Sequence, residues 1–577
     1  MIWWLASELR MLPLAPRLCF VRNALNGASS QLSSGEHAVL SACEGCHTIG
    51  EHEARAAAQL RAPEAHRPVI RELLERCARE GLLLSVPQLV SRFGTPSAAE
   101  PAAFGGVVVR TADRPQLLAR LLASAETLEA RAGEKRRWLV IDDSHNPANE
   151  QANHAAIANA RSLEITHYDR AAADAVQNAL LAEFPHAARE IGWLLAPGAP
   201  GEATYGRPLN HALLQLAGRA FVSVDDDVLL ESRRSPLSDA GFTVSDAADE
   251  LTWYESEASL LQHCPPADVD PIAQHAQWLG LPMADAWMRA EEEGGPLATM
   301  QIDAAQATRF APDARIIFTQ SHACGDPGST MLPLHLLSLP ARSRQWLAAN
   351  PDAVAYAFAR RINWRGQSRL RLAPTRLLTL TTIAGLDNSR LLPPTARSHR
   401  SEDLLLGKVA QWMHRTAWQV DLPFGLLHWR EPAKHWLRAV DPVGPEPLPF
   451  ILAYLERHEA VVVAMRPEQR LAAAGALLVD LAAASDAHLS EMLLAHAAEA
   501  SSRVLFSLQE QLDDAALPAA WKQSLGPWLN APALALDEAA LRARSPTVAA
   551  MRSLVDGYGK ALLVWPQLWE FCRQRNA

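Results

Sequence analysis

The residues best suited to chemistry lie in one short stretch, Phe221-Val222-Ser223-Val224-Asp225-Asp226-Asp227-Val228. Four residues that suit a buried strand run directly into three consecutive carboxylates. Adjacent carboxylates repel one another, and a fold accepts them only at an exposed end or around a cation. Oxygen donors of this kind suit Mg²⁺ or Mn²⁺, the ions that accompany diphosphates. The C-terminal end of a strand is also where open α/β sheets bind ligands. A solvated acidic turn is the plain alternative, and the surrounding elements must decide between the two.

Those elements alternate. Gly106-Val107-Val108-Val109 reads as a buried strand that ends in Arg110-Thr111-Ala112-Asp113-Arg114-Pro115. Pro115 opens a helix with Leu/Ala periodicity over 117–130. Trp138-Leu139-Val140-Ile141 is a second strand, ending in Asp142-Asp143-Ser144, and Leu163-Glu164-Ile165-Thr166 is a third. Helices near 148–160, 170–183 and 208–217 follow, the last leading into the strand at 220–224. Strands alternating with helices predict an α/β fold with a mostly parallel sheet and a ligand cleft at its strand ends.

The chain of 577 residues is too long for one core, so several domains are expected. Apolar residues at 49% and charged residues at 20% describe an ordinary globular composition. A formal net charge of -10 argues against a nucleic-acid partner, which needs a basic face. Seven scattered cysteines do not form a disulfide framework and fit a reducing cytoplasm. Glu8 and Arg10 interrupt the apolar start, so no signal peptide is read there, and no apolar run is long enough for a membrane span.

Taken in order, Thr111 after the first strand, Asp142-Asp143-Ser144 after the second and Asp225-Asp226-Asp227 after the later one resemble the motifs of the inverting family 2 glycosyltransferases. Gly206-Arg207-Pro208-Leu209-Asn210 stands where that family has Arg-Asn before a helix, here with two residues between them. Gly385-Leu386-Asp387-Asn388 followed by Ser401-Glu402-Asp403-Leu404 is similar to the family's Glu-Asp pair. The resemblance spans about 104–432 and implies a GT-A fold over 104–435. It implies Mg²⁺ or Mn²⁺ as cofactor, held by Asp225, Asp227 and His428; a packed histidine is the alternative for His428. It implies that Thr111, Asp113, Asp142, Asp143, Arg207, Asn210, Asp225 and Asp226 bind a nucleotide-diphosphate sugar, most simply a UDP-sugar. Asp143 would meet the base edge and Thr111 the nucleotide floor. Glu402 and Asp403 would be catalytic, with Asp403 taking the acceptor proton as the acceptor attacks C1. A cation is wanted because the leaving nucleotide carries two to three negative charges.

Residues 16–92 read as a separate small unit. Positions 17–22 alternate like a strand, Asn26-Gly27 signals a hairpin and a second strand ends at Gln31-Leu32. Capping boxes at Ser33/Glu36 and Thr48/Glu51 start helices over 35–43 and 49–60, and a third helix over 65–81 ends at Gly81. With Val39-Leu40, Gly45, Thr48-Ile49 and Gly81-Leu82-Leu83, this pattern resembles the winged-helix peptide chaperone of pyrroloquinoline-quinone biosynthesis. The resemblance implies recognition of a precursor peptide, whose leader adds as a strand along an exposed edge near 17–32. Cys43-Glu44-Gly45-Cys46-His47 matches the haem-attachment pattern, read here as a chance match because attachment needs export and a haem-sized pocket.

Residues 93–103 read as a Pro/Ala/Ser linker, and 232–315 as an acidic, Trp-containing insertion. The loop Cys324-Gly325-Asp326-Pro327-Gly328-Ser329 is a turn or an acceptor contact. Trp412, Trp418, Trp429 and Trp436 are core residues or stacking platforms. Residues 437–577 read as helices at 449–459, 468–484, 486–513, 537–558 and 559–575, with a short strand at 461–465. The expected function is a cytoplasmic, metal-dependent transferase that places a sugar on a ribosomally made peptide. A glycan acceptor, or a peptide-binding protein without catalysis, are the alternatives.

Overall fold

The computed structural model describes residues 4–6, 9–198, 202–326, 334–359, 362–376, 378, 382–429, 447–459 and 466–576. The expected strand at 461–465, Trp436, positions 327–329 and the boundary near 435–437 lie outside the described residues.

The N-terminal part contains β1 (Trp4–Ala6), β2 (Leu9–Ala15), β3 (Leu18–Asn23), β4 (Ser29–Ser33), β5 (Cys46–His47) and β6 (Leu83–Ser85). β2, β3 and β4 form one antiparallel sheet, and β1 lies between β5 and β6 in another. Both predicted capping boxes form, starting helices Ser34–Ser41 and Ile49–Gln59; a third helix spans Arg67–Arg79. The strand expected at 17–22 is central rather than an edge, because β2 pairs along it from Leu9↔Asn23 to Ala15↔Leu18. Among the described residues the outer strands of this sheet are therefore β2 and β4. Pro13, which cannot donate to a ladder, hid β2 in the sequence, and an edge is where such a residue is tolerated. Met11, Leu12 and Leu14 on β2 stay 49%, 59% and 48% exposed.

Residues 93–103 do not swing free. Phe93 stacks on Phe310 with ring centroids 4.8 Å apart and meets Trp418 edge-on. Arg92 donates through Nε to the Phe310 carbonyl (2.9 Å) and through Nη1 to the Leu25 carbonyl (2.8 Å). Ser97 donates to Asp285 from its backbone N–H (2.9 Å) and its hydroxyl (3.1 Å). Leu5, Cys46, Leu84, Leu89 and Phe93 share one buried apolar cluster with the large sheet, so the N-terminal part and the sheet are held by a common core. Cys43 and Cys46 are buried, and burial pushes both thiols up to about 12.

The large sheet contains thirteen strands: β7 (Phe104–Thr111), β8 (Arg137–Asp142), β9 (Glu164–Tyr168), β10 (Ala220–Asp225), β11 (Val228–Arg234), β12 (Phe242–Ser245), β13 (Glu250–Trp253), β14 (Leu297–Gln301), β15 (Arg315–Gly325), β16 (Asn363–Gly366), β17 (Leu370–Ala373), β18 (Ile383–Leu386) and β19 (Ala417–His428). Its main path runs β14-β12-β17-β19-β15-β18-β10-β7-β8-β9. β9, β8, β7 and β10 are parallel neighbours, as the alternating sequence requires, and β18 closes antiparallel on β10. The molecule is thus mixed α/β, with a sheet mostly parallel along its main path and helices on its faces.

The segment expected as an insertion is part of that sheet. β12 pairs in parallel with both β14 and β17, and β13 pairs with β16, so residues 232–315 widen the sheet. Polar residues there are buried in ion pairs: Asp249 meets His322, Arg365, Arg371 and Arg376, and Arg371 also meets Asp421. Charges this deep persist only when paired.

The C-terminal part is helical, as predicted, but its last breaks differ. Helices span Leu448–His458, Pro467–Ala483, Asp486–Asp513, Ala519–Leu525 and Glu538–Arg544, and one long helix, Val548–Asn576, replaces the expected pair. Pro566 sits inside that long helix. Trp565 and Trp569 of this helix are buried and donate to the Leu392 carbonyl (2.7 Å) and to Asn388 Oδ1 (3.0 Å). Tyr558 donates to the Pro394 carbonyl (3.0 Å). This last helix therefore braces the segment 388–395. Trp412 and Trp418 are buried core residues. Among the described residues no single helix is long and apolar enough to cross a membrane; one sharply bent pair, Pro467–Ala483 with Asp486–Asp513, reaches the required composition.

Candidate functional site

The three carboxylates fall at the β10–β11 turn, and each is met by a cation or a donor. Arg110, at the end of β7, reaches Asp225 (Nη2 to Oδ1, 2.8 Å) because parallel pairing sets the two residues opposite each other. Thr111 donates its hydroxyl to Asp226 (2.8 Å). Arg114, just before the helix Pro115–Ala132, approaches Asp226 (3.2 Å) and Asp227 (3.5 Å). His428, the last residue of β19, faces Asp227 with Nε2 to Oδ1 at 3.1 Å. Antiparallel pairing of Val228 with His428 sets that meeting, and the N–H of Trp429 donates to the Asp227 carbonyl (3.2 Å). Asp226 and Asp227 are buried, whereas the Asp225 side chain is 34% exposed.

Glu402 and Asp403 join this patch from far along the chain. They open the helix Glu402–Met413, whose N-cap residue Ser401 has φ 72, in the left-handed region. Asp403 accepts the N–H of Leu404 (2.8 Å). The charges of Asp225 and Asp403 both act on Glu402, and Arg110 feels Asp225, Glu402 and Asp403 together. Burial, then the Asp403 charge, push the Glu402 carboxyl up to about 7 against the pull of Arg110. Asp226 is pushed up to about 6, by burial first, with Arg114 and Thr111 opposing and the neighbouring carboxylates adding.

Other predicted site residues are brought to the neighbouring strand ends, but their polar atoms are engaged by protein. Asp143 pairs with Arg207, both nearly fully buried, and accepts from Thr204. Arg207 also donates to the Leu195 carbonyl (2.6 Å). Asp142 accepts from Ser144 N–H (3.0 Å) and from Asn153 (3.0 Å), with His167 at 3.4 Å. Asp113, with φ 57, accepts from His145, Asn146 and Asn149 and so ties the end of β7 to the end of β8. Asn210 is fully buried and clamps Thr395, donating to its carbonyl (3.0 Å) and accepting its N–H (2.9 Å). Thr395 in turn donates its hydroxyl to the Glu402 carbonyl (2.5 Å). Asn210 therefore reaches the acidic pair through Thr395. Gly206, just before the helix Arg207–Gln215 that carries Asn210, leaves room for the Ala396 carbonyl, which any Cβ would strike.

Sequence reasoning missed Arg110, Arg114, Arg120 and Thr395. Arg110 and Arg114 flank Thr111 in the segment already singled out, and the signal for them is that three adjacent carboxylates require counter-charges. Among the described residues no group of three or more His, Cys, Asp or Glu side chains is arranged to hold a metal ion. The donors present still fit part of one. Neighbouring ligands of an octahedral ion with bonds near 2.1 Å lie about 3 Å apart, and Asp227 and His428 stand at 3.1 Å. Mg²⁺-type sites commonly take one or two protein ligands and complete the sphere with phosphate and water.

The raised carboxyl gives a pH signature. The fold binds the Glu402 proton more tightly than the unfolded chain, so folding takes up a proton between pH 4.5 and about 7. Stability should fall as pH rises through that window and level off above it, with Asp226 adding to the lower part. In Glu402→Gln the slope above pH 6 should largely vanish and the midpoint at pH 8 should rise; thermal melts from pH 4.5 to 8 measure this, and an unchanged slope refutes it.

Comparison with family models, curated proteins and solved structures finds no match to this chain.

Proposed function

We propose that this chain is a metal-dependent, inverting glycosyltransferase of GT-A type that moves a sugar from a nucleotide-diphosphate sugar to a precursor peptide. The observation that carries the reading is that Arg110, ion-paired to Asp225 at the C-terminal ends of the parallel strands β7 and β10, also feels the charges of Glu402 and Asp403, with Asp226 and Asp227 held beside it by Arg114. That is where an open sheet binds its ligand, and the strand order with β18 reversed beside β10 suits a nucleotide-binding half joined to an acceptor half. Asp227 and His428 would hold Mg²⁺ or Mn²⁺, which when bound would neutralise the diphosphate and ease its departure. Arg110 and Arg114 would bind the remaining phosphate charge. Asp403 would accept the proton of the attacking group, and Glu402, protonated near neutrality, would keep two like charges from facing each other. Asp143, Thr111 and Arg207 would shape the nucleotide end.

The peptide acceptor is supported by the small N-terminal sheet, whose outer strands among the described residues are β2 and β4, and by the three short helices that accompany it. The test is direct: co-express the chain with short peptides encoded beside it and read sugar additions by mass spectrometry, while scoring UDP release from a UDP-sugar panel with Mn²⁺. No release and no added mass refute the reading.

A second reading is a peptide-binding protein without catalysis. It is favoured by the arginines, since Arg110 and Arg114 already pair with the three aspartates, and His428 faces Asp227, without a metal. Titration with Mn²⁺ and UDP separates the two, because only the first requires binding.

A further inference from the structure

We propose that Arg120 is a positioning residue for the cation site, holding together the two strand ends that carry Asp227 and His428; this rests on the metal-dependent reading above. Arg120 lies on the helix Pro115–Ala132 and approaches the acidic turn from its backbone side. Its Nη2 donates to the Asp227 carbonyl (3.3 Å) and to the Trp429 carbonyl (2.5 Å). One carbonyl belongs to a candidate ligand, and the other belongs to the residue next to the second candidate ligand. Asp227 and His428 sit on different strands, so their 3.1 Å separation depends on the register at the end of the β11–β19 ladder. That ladder ends at the Trp429 N–H to Asp227 carbonyl bond, and the guanidinium spans the last carbonyl on each side. One turn along the same helix, Ser124 accepts the N–H of Leu230 (2.8 Å) and fastens β11 farther from the site. Arg114, at the start of this helix, meets the Asp226 and Asp227 carboxylates, so the two arginines grip the turn by its side chains and by its backbone. Groups that orient metal ligands in this way are commonly worth about 10–100-fold in metal affinity.

The test measures free Mn²⁺ by electron paramagnetic resonance while the full chain is titrated in the presence of UDP. Arg120→Met keeps the apolar stem and removes the donors; its Mn²⁺ affinity should drop about 10-fold or more. Arg120→Lys, which keeps the charge and can reach one carbonyl, should recover part of the loss. Ser124→Ala loosens the same strand without touching either carbonyl and should bind Mn²⁺ within about twofold of the parent. Wild-type affinity in Arg120→Met, or an equal loss in Ser124→Ala, overturns the proposal and leaves the metal-dependent reading standing. Absence of Mn²⁺ binding by the parent chain overturns both.

Discussion

Asp227→Asn is expected to lower nucleotide-sugar turnover by about 100-fold or more while the protein remains folded. Asp227 is buried with one oxygen against His428 and the other toward Arg114, and in the proposed metal-dependent reading its carboxylate is a cation ligand. An amide keeps the shape but not the charge. Removing one partner of a buried pair usually destabilises a fold strongly. Here Arg114 keeps Asp226 at 3.2 Å, which leaves its charge compensated. Far-ultraviolet circular dichroism should therefore be unchanged, Mn²⁺-dependent UDP binding should weaken, and UDP release should fall to background. Full turnover by this variant in the presence of a chelator would refute the cation assignment.

Asp403→Asn is expected to reduce kcat by about 10²–10⁴-fold with little change in donor KM, the range a general base contributes. The amide cannot accept a proton at neutral pH. A second signature follows from the coupling of the acidic pair. The Asp403 charge is one cause of the raised Glu402 carboxyl, so removing it should let Glu402 ionise at lower pH. The residual activity should then change its pH dependence toward the acid side. Glu402→Gln supplies the contrast: it should retain more activity than Asp403→Asn. The reverse ranking would make Glu402 the base. A thiol acceptor would soften the loss in Asp403→Asn, since a thiol ionises with less help.

Much of the α/β half could be read from the chain itself. The β-branched strands at 106–109 and 138–141, each followed by polar residues and a helix, and the strand at 220–224, which a helix precedes and three carboxylates follow, become β7, β8 and β10 in one parallel run. Hydrophobic periodicity and short connections are local properties, so the sequence alone determined the alternation, the position of the carboxylates at a strand end, and both capping boxes. Local pattern could not show that 232–315 would widen the sheet, because edge-strand pairing between β12, β14 and β17 is settled by non-local register. Nor could it show that β2 would cover β3, since a proline hides an edge strand. Only the tertiary structure decided the company each carboxylate keeps. Asp225 and Glu402 are separated by most of two hundred positions, and they share Arg110 because the helix Glu402–Met413 starts beside the end of β10. Asn210 illustrates the same limit: its type and spacing suggested a ligand contact, but burial spent both its polar atoms on Thr395 and Leu194. A side chain's chemistry is written in the sequence, whereas its partners depend on which backbone arrives next to it, and that is set by packing of the whole core.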